Sequence, residues 1–415
     1  MVKTSILSFI ATAIKMLVNL IINKFVALFI GPTGLAVIGQ FQNATLLANS
    51  FSSAGINNGV IKYTSEYGED LDSKKKLWGT SLRLTLICSS VTSVFLLFFS
   101  ENISSYLFSS LDYSYVFIVF GLTLVFFSVN QLLLSIINGL KEISLFIQIN
   151  IMQSLSSLLF TGTLILFFGI DGALISLVTN QAIVFVIILF KLKGHKEIII
   201  SNFSERFNRN VSKKLLSYSF MALVSALCYP ISSTIIRNYI GSHLSWDYAG
   251  YWQAMVYISS MYLMVITTML STYFLPRISE LKDKDDIKLE LLRGGRLILP
   301  LVLFLAVTIF YSKHLIVNIL FSAEFEPMLE LFKWQLVGDV VKIFTWLLVY
   351  VLLAKAMTKL FVLSEVIFSV TSVLFSMFFI THSGFVGLSY AFALNYFLSF
   401  IFMLLIVLRY LFWEK

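Results

Sequence analysis

Ionisable side chains that interrupt long apolar runs are the residues of this sequence most able to bind a charged ligand. Counting Arg83 and Lys333 near the ends of their runs, six bases stand against two acids. An ionisable group in a membrane span costs at least about 2.5–3.5 kcal/mol on insertion scales, so by default it faces a cavity or a partner. The excess of bases favours an anion such as phosphate or diphosphate, whereas a carrier of cationic drugs should present a negative core. The deeper members, with Arg237 toward the outer end of its run, are Lys15, Lys24, Arg237, Lys342, Asp339 and Glu365.

Polar residues accompany these charges in two helical patterns. Lys15, Asn19 and Asn23 recur every four residues and form one stripe along a helix, which must line water or another polar surface. Asp339 and Lys342 lie three residues apart and can pair on one helix face. A structural ion pair that ties helices together is an equally good interpretation of these two residues.

Amides near mid-membrane depth recur in both halves of the chain. Interhelical hydrogen bonds explain any one of them, whereas all of them together favour a hydrated central cavity. The carboxylates of Asp339 and Glu365 either balance the bases of that cavity or carry protons, and the sequence leaves both alternatives open. The amides are Asn130, Gln131, Asn180, Gln181, Gln253 and Asn395.

The elements that position these residues are apolar runs of membrane length. The 415 residues are 58% hydrophobic and 13% charged, against about 25% charged in soluble domains. A bilayer span needs about 20 apolar residues, so an all-α, polytopic membrane protein with about twelve spans is predicted. The first run is expected to be an uncleaved span, because Lys15 and further apolar residues follow its signal-peptide-like start. The predicted spans are residues 5–30, 35–61, 78–99, 114–138, 145–168, 172–190, 215–239, 249–275, 293–312, 329–352, 360–381 and 385–408.

The polar breaks between spans alternate in charge. Lys and Arg number 23 on one side, counting Arg293 and Arg296 at the start of a span, and one, Lys313, lies on the other. By the positive-inside rule this distribution predicts cytoplasmic N- and C-termini. The net charge of +8 is thereby explained by topology, so no nucleic acid partner is expected.

The two halves of the chain repeat with offsets of 211 to 215 residues. This predicts a six-helix lobe at 1–190, a basic cytoplasmic connector at 191–214 and a second six-helix lobe at 215–415. An even number of spans in each half gives both the same orientation, as in transporters whose substrate site lies between parallel repeats. Among the matches, Gly169, Gly172 and Asn180 correspond to Gly384, Gly387 and Asn395.

Signatures of enzymes are missing from the sequence. It has no P-loop, no His-Glu-x-x-His motif and no nucleophile elbow, and its four histidines lie outside the centres of the spans. The two cysteines form no Cys-x-x-Cys pair, so neither a cofactor nor a metal is expected. A membrane-bound polysaccharide polymerase is the enzyme alternative, but it should carry a large outer loop, and the longest outer segment is 312–328.

Several motifs make the chain resemble the Wzx-type lipid-linked oligosaccharide flippases of the MOP superfamily. The resemblance implies a cationic central cavity, in which Lys24 and Lys342, with Lys15 and Arg237, attract a diphosphate and its sugar. The motifs are Gly31-Pro32-Thr33-Gly34-Leu35, Gly55-Ile56-Asn57-Asn58-Gly59-Val60-Ile61-Lys62-Tyr63, Ser245-Trp246-Asp247 with Gly250-Tyr251-Trp252-Gln253, Leu275-Pro276-Arg277-Ile278-Ser279, and Trp334-Gln335-Leu336-Val337-Gly338-Asp339-Val340-Val341-Lys342.

The function that this resemblance implies is transfer of an undecaprenyl-diphosphate-linked oligosaccharide between the leaflets of the membrane. Two substrates fit, an O-antigen repeat unit and the enterobacterial common antigen lipid III, and the AT-rich coding indicated by the Phe, Ile, Lys, Asn and Ser content slightly favours the first. A polysaccharide polymerase and a chain-length regulator are the implied protein partners. Multidrug antiport by a member of the same superfamily is the rival function.

Overall fold

Long helices account for almost all of the computed structural model, which describes residues 2–281, 283–355 and 357–412. These residues form fourteen α-helices and no strands. Short 3-10 turns cover Ile200–Phe203, Ala323–Leu331 and Gly384–Val386, and one π-helical turn covers Leu270–Phe274. The helices are α1 (Val2–Phe29), α2 (Gly31–Ser52), α3 (Asn57–Glu66), α4 (Leu71–Phe98), α5 (Ser100–Phe108), α6 (Ser114–Gly139), α7 (Ile143–Leu192), α8 (Arg209–His243), α9 (Trp246–Met269), α10 (Leu275–Glu280), α11 (Lys284–Leu320), α12 (Phe332–Ala354), α13 (Thr358–Ser383) and α14 (Gly387–Phe412).

The helices confirm the predicted all-α membrane fold. In the described residues, seven stretches are long and apolar enough to cross a membrane. Two of them, Ile143–Leu192 and Thr358–Phe412, each contain two of the predicted spans. The remaining predicted spans coincide with α2, α8 and α9, which carry the buried polar residues Gln40, Arg237 and Gln253.

Several span boundaries were predicted wrongly, because caps and turns rather than hydropathy set the ends of the helices. The run 78–99 begins earlier, at Leu71, where the side chain of Asp70 accepts a hydrogen bond of 3.1 Å from the backbone of Ser73. The run 35–61 is divided, because α2 ends at Ser52 and the backbone turns through positive φ at Ala54 and Gly55.

Two glycine corners show the internal repeat directly. Gly169 bends α7 with φ 56° and ψ −127°, and Gly384 separates α13 from α14 with φ 64° and ψ −144°. Three residues after each corner, a Cβ on Gly172 or Gly387 would collide with a backbone carbonyl of the preceding helix. The same conformation and the same close approach therefore occur at equivalent positions of both halves.

The chain divides into two compact units. The first contains the chain up to Ile30 and Val37–Pro230, and its core packs Trp78, Ile136 and Val184 together. The second contains Gly31–Ala36 and the chain from Ile231 onward. The limits of 1–190, 191–214 and 215–415 stay a prediction.

A short hairpin segment of the first half thus belongs to the second unit. Thr33 donates a hydrogen bond to the carboxylate of Asp247, at the start of α9. The backbone of Pro32 lies so close to Gly250 that a Cβ there would collide with it. Glycine at position 250 is what allows this approach.

Candidate substrate-binding site

Arg237 on α8 is the most deeply buried base of the second unit, with 1% of its surface exposed. Its guanidinium donates a hydrogen bond to the side-chain oxygen of Gln253 on α9 and lies 5.4 Å from the ring of Trp252. Burying a charge is costly unless hydrogen bonds and polar neighbours replace the lost water. Gln253 is a neutral acceptor, so this bond orients the guanidinium without cancelling its charge.

Asp339 on α12 forms a second buried polar centre. Its carboxylate is fully buried and accepts hydrogen bonds from the hydroxyls of Ser259, at 2.7 Å, and Tyr262, at 2.8 Å, both on α9. Gln335, one turn earlier on α12, donates to the Ser259 hydroxyl at 3.4 Å. The carboxylate therefore connects α12 to α9 through hydrogen bonds from hydroxyl groups.

Lys342 on α12 is half-buried and lies among three aromatic rings. Its ammonium group is 5.2 Å from the centre of Trp346, 5.4 Å from Tyr396 and 5.7 Å from Phe392. Each distance is within the range of a cation–π interaction. The rings hold the ammonium in place.

Close packing of α12 against α14 brings the aromatic rings to this lysine. A Cβ on Gly338 would collide with the ring of Phe392, so only glycine allows the two helices to approach to this distance. Phe392 and Tyr396 both lie on α14 and pack edge to face with a centroid distance of 4.8 Å. The glycine one residue before Asp339 thus sets the surroundings of Lys342, one turn further on.

The remaining predicted site residues are less buried. Glu365 lies on α13 of the second unit and is half-buried. The other four lie on α1, in the first unit, where Lys15 and Asn19 are exposed and Asn23 and Lys24 are half-buried. The structure thus brings Arg237, Gln253, Asp339 and Lys342 into one unit.

Two further amides have simple structural roles. Asn130 on α6 donates to the backbone carbonyl of Gln181 on α7 at 2.7 Å. Asn395 on α14 donates to the backbone carbonyl of Phe368 on α13 at 3.2 Å and accepts from Thr371 at 2.7 Å. Hydrogen bonds between helices explain these two amides without a hydrated cavity.

The sequence interpretation missed the residues that hold the charges in place. Tertiary packing brings four of them to the ions from another helix, and the fifth, Trp346, shares the helix of Lys342; the four are Ser259, Tyr262, Trp252 and Tyr396. A weak signal was available in the spacing, because Trp346 follows Lys342 by four residues and must share its helix face.

Known proteins that are similar in sequence to this chain include a family of polysaccharide biosynthesis proteins and two flippases. The model of the polysaccharide biosynthesis protein family matches residues 1–282. Lipid III flippases of Escherichia coli strain K12 and Shigella flexneri are each 28% identical over 398 residues, which is 96% of this chain and of theirs.

Similar solved structures show the fold. An inward-facing multidrug resistance MATE family transporter of the MOP superfamily superposes with a TM-score of 0.80 at 14% identity, covering 95% of both chains. A MOP superfamily transporter from Pyrococcus furiosus, described as having a binding pocket of reverse polarity, gives a TM-score of 0.67 at 13% identity over 98% of this chain and 95% of that one. The predicted MOP and MATE-like architecture is thereby confirmed.

Proposed function

Because the chain belongs to the polysaccharide biosynthesis protein family, we propose that it carries a lipid-linked oligosaccharide across the bacterial inner membrane, from the cytoplasmic to the periplasmic leaflet. The 28% identity to Lipid III flippases over 96% of the chain supports this substrate class. The observation that carries the proposal is the pair of held bases in the second unit. Arg237 and Lys342 present positive charge in apolar surroundings, where a diphosphate binds more strongly than in water.

In the proposed mechanism, basic side chains bind the diphosphate and the adjoining sugar while the prenyl tail stays in the lipid. Lys15, Lys24, Arg237 and Lys342 supply the charge, and Asn19, Asn23 and Gln253 supply hydrogen bonds to the sugar. Asp339 and Glu365 balance the site or couple transport to an ion. Alternating access to the two sides of the membrane then moves the head group across, and no covalent bond is made or broken.

Loss of a specific surface polysaccharide is the direct test of this function. Deleting the gene in its host should remove the O-antigen ladder or the common antigen and should leave lipid-linked repeat units on the cytoplasmic side. The wild-type gene should restore the polysaccharide, and Lys24→Glu or Lys342→Glu should not, although both variants should be present in the membrane. Full activity of both variants would contradict the role of the bases.

The choice of substrate is part of the same experiment. Loss of the O-antigen ladder alone assigns the repeat unit as substrate, and loss of common antigen alone assigns lipid III, which the Lipid III flippase relatives favour. Cytoplasmic termini follow from the positive-inside distribution, and accessibility labelling of either terminus in intact cells would test them. A polymerase and a chain-length regulator are the proposed partners downstream.

Multidrug antiport is the second candidate, since the fold is shared with a multidrug resistance MATE transporter. The bases of the second unit argue against it, because a cationic drug would be repelled by Arg237 and Lys342. Raised dye accumulation in the deletion strain, together with normal polysaccharides, would favour the antiporter and contradict the flippase.

A further inference from the structure

The segment between α7 and α8, residues 193–208, is a structured strap fastened to the first unit. Ile198 is buried in the core of that unit. The ring of Phe203 stacks on Trp78 of α4 with a centroid distance of 5.8 Å. The backbone N–H of Asn208 donates to the hydroxyl of Thr80, also on α4, at 3.1 Å.

One ion pair and the hydrogen bonds of one histidine add to this attachment. The ammonium of Lys74, on α4, lies 2.5 Å from the carboxylate of Glu197. The Nδ1 atom of His195 accepts the backbone N–H groups of Glu197 and Ile198, so its Nε2–H donates to Glu142 at 2.9 Å. The strap therefore has a fixed inner side, which faces the helices of its own unit.

The depth of the strap is given by its partners on α4. On α4, Trp78 and Thr80 lie between the bases Lys74, Lys75 and Lys76 and the apolar run that follows Arg83. The carbonyl oxygen of Glu205 lies so close to Gly79 that an added Cβ would be 2.8 Å from it. Contacts at this level of α4 place the strap at the boundary between the apolar and polar parts of the first unit.

The outer side of the strap combines exposed apolar side chains with bases. Ile200 is 89% exposed, and Ile199 and Phe207 are 44% and 46% exposed. Burying such side chains in a membrane interface is favourable, because it removes apolar surface from water. The bases of this side, all exposed, are Lys193, Lys196, Arg206 and Arg209.

We propose that the strap is an interfacial element that binds the anionic lipid of the cytoplasmic leaflet, with Ile200 and Phe207 among the headgroups. Apolar anchors flanked by Lys and Arg are the chemistry of attachment to an anionic membrane surface, where each base contributes about 1 kcal/mol. Of the two strap carboxylates, Glu197 is already bound to Lys74, so little negative charge opposes this contact. The proposal is independent of the transported substrate.

A fluorophore on the strap tests this contact without any measurement of transport. The full-length protein, with Cys88→Ala and Cys228→Ala, receives an environment-sensitive label through Ile200→Cys. The matched control is Glu69→Cys, an exposed position in the turn before α4. Each is placed in nanodiscs of phosphatidylcholine, with or without phosphatidylglycerol.

The label at position 200 should emit at shorter wavelength and be protected from a water-soluble quencher when phosphatidylglycerol is present. The label at position 69 should stay exposed to water in both lipids. Adding Lys196→Gln and Arg206→Gln should lower the ratio of inserted to withdrawn strap by about fivefold for each base removed, since 1.36 kcal/mol corresponds to tenfold.

Three results would overturn the proposal. The first is water-like emission at position 200 in both lipids. The second is an equal shift with and without phosphatidylglycerol, because the bases would then have no role. The third is a shift seen only after addition of cytosolic extract, which would indicate a protein partner instead of lipid.

Discussion

Arg237 of the second unit and Lys15 of the first unit, two bases of the predicted site, are held in opposite ways. In the second unit, Arg237 is buried against Gln253 and Trp252, and Lys342 lies among three rings. In the first unit, Lys15 is exposed on α1, in the same stripe as Asn19. A side chain held by its neighbours loses little conformational entropy on binding, whereas an exposed lysine must be ordered by the ligand itself.

A charged side chain can contribute to the stability of its unit, to transport, or to both, and this difference allows the two contributions to be measured separately. In the second unit the charges belong to the packing of the helices, so a change that leaves a buried polar group without its partner should alter stability as well as transport. In the first unit Lys15 is exposed and is not part of the helix packing. Changing its charge should therefore alter transport without altering stability. Measuring stability and transport on the same variants therefore distinguishes the two cases.

The largest loss of stability is expected at Asp339. Asp339→Leu leaves the buried hydroxyls of Ser259 and Tyr262 without their acceptor, which costs about 1–3 kcal/mol for each. Asp339→Asn keeps an oxygen acceptor and should lose much less. Thermal unfolding of the purified protein in detergent measures both, with Glu365→Leu as a half-buried control in the same unit. Wild-type stability of Asp339→Leu would show that the carboxylate does not tie α12 to α9.

Two substitutions in the contact between Arg237 and Gln253 distinguish an effect on stability from an effect on transport. Arg237→Met replaces the buried charge by an apolar chain, a change that is often neutral for stability, but it should reduce transport at least tenfold (about 1.4 kcal/mol). Gln253→Leu removes the acceptor and leaves the guanidinium in place, at a cost of about 1.5–3 kcal/mol in unfolding free energy.

Unfolding curves and a polysaccharide assay on both Arg237 and Gln253 variants check these outcomes. If the two variants lost stability equally, the guanidinium itself would stabilise the unit. The loss in Gln253→Leu could then not be assigned to a buried guanidinium that lacks its acceptor.

A substitution of Lys15 tests the prediction for an exposed base. Lys15→Glu should reduce transport at least tenfold, while its unfolding free energy should stay within about 0.5 kcal/mol of the wild type, as is usual for surface changes. Lys313→Glu, near the end of α11, is the charge-reversal control and should leave transport unchanged. A large loss of stability in Lys15→Glu would place this lysine in the packing of the first unit.

The smallest expected effect concerns the start of α4 in the first unit. The hydrogen bonds from Ser73 hold the pKa of Asp70 below its ordinary value of 3.8. A carboxylate with a lowered folded pKa stabilises the fold above its unfolded pKa, and this contribution is lost as the pH falls through the lower value. Asp70→Asn can still cap the helix but cannot titrate, so its stability should fall less between pH 5 and pH 3 than that of the wild type. Parallel pH profiles for the two proteins would contradict this origin of the effect.

Hydropathy and charge in the sequence determined the class of molecule and most of the membrane spans. The runs 114–138 and 385–408 differ from α6 and α14 by only a few residues, because a membrane helix must satisfy its own backbone and needs about 20 apolar residues to do so. The repeat matched Gly169 to Gly384 in sequence, and the structure shows that both adopt a positive φ, a backbone conformation that glycine reaches readily.

Only the tertiary structure decided how each charge is held. Spacing placed Asp339 and Lys342 on one helix face, but the acceptor role of Asp339 toward Ser259 and Tyr262 depends on α9, about 80 residues earlier in the chain. Helix periodicity contains no information on which other helix packs against a given face. The partners of a buried charge are therefore set by packing between helices, which hydropathy does not specify.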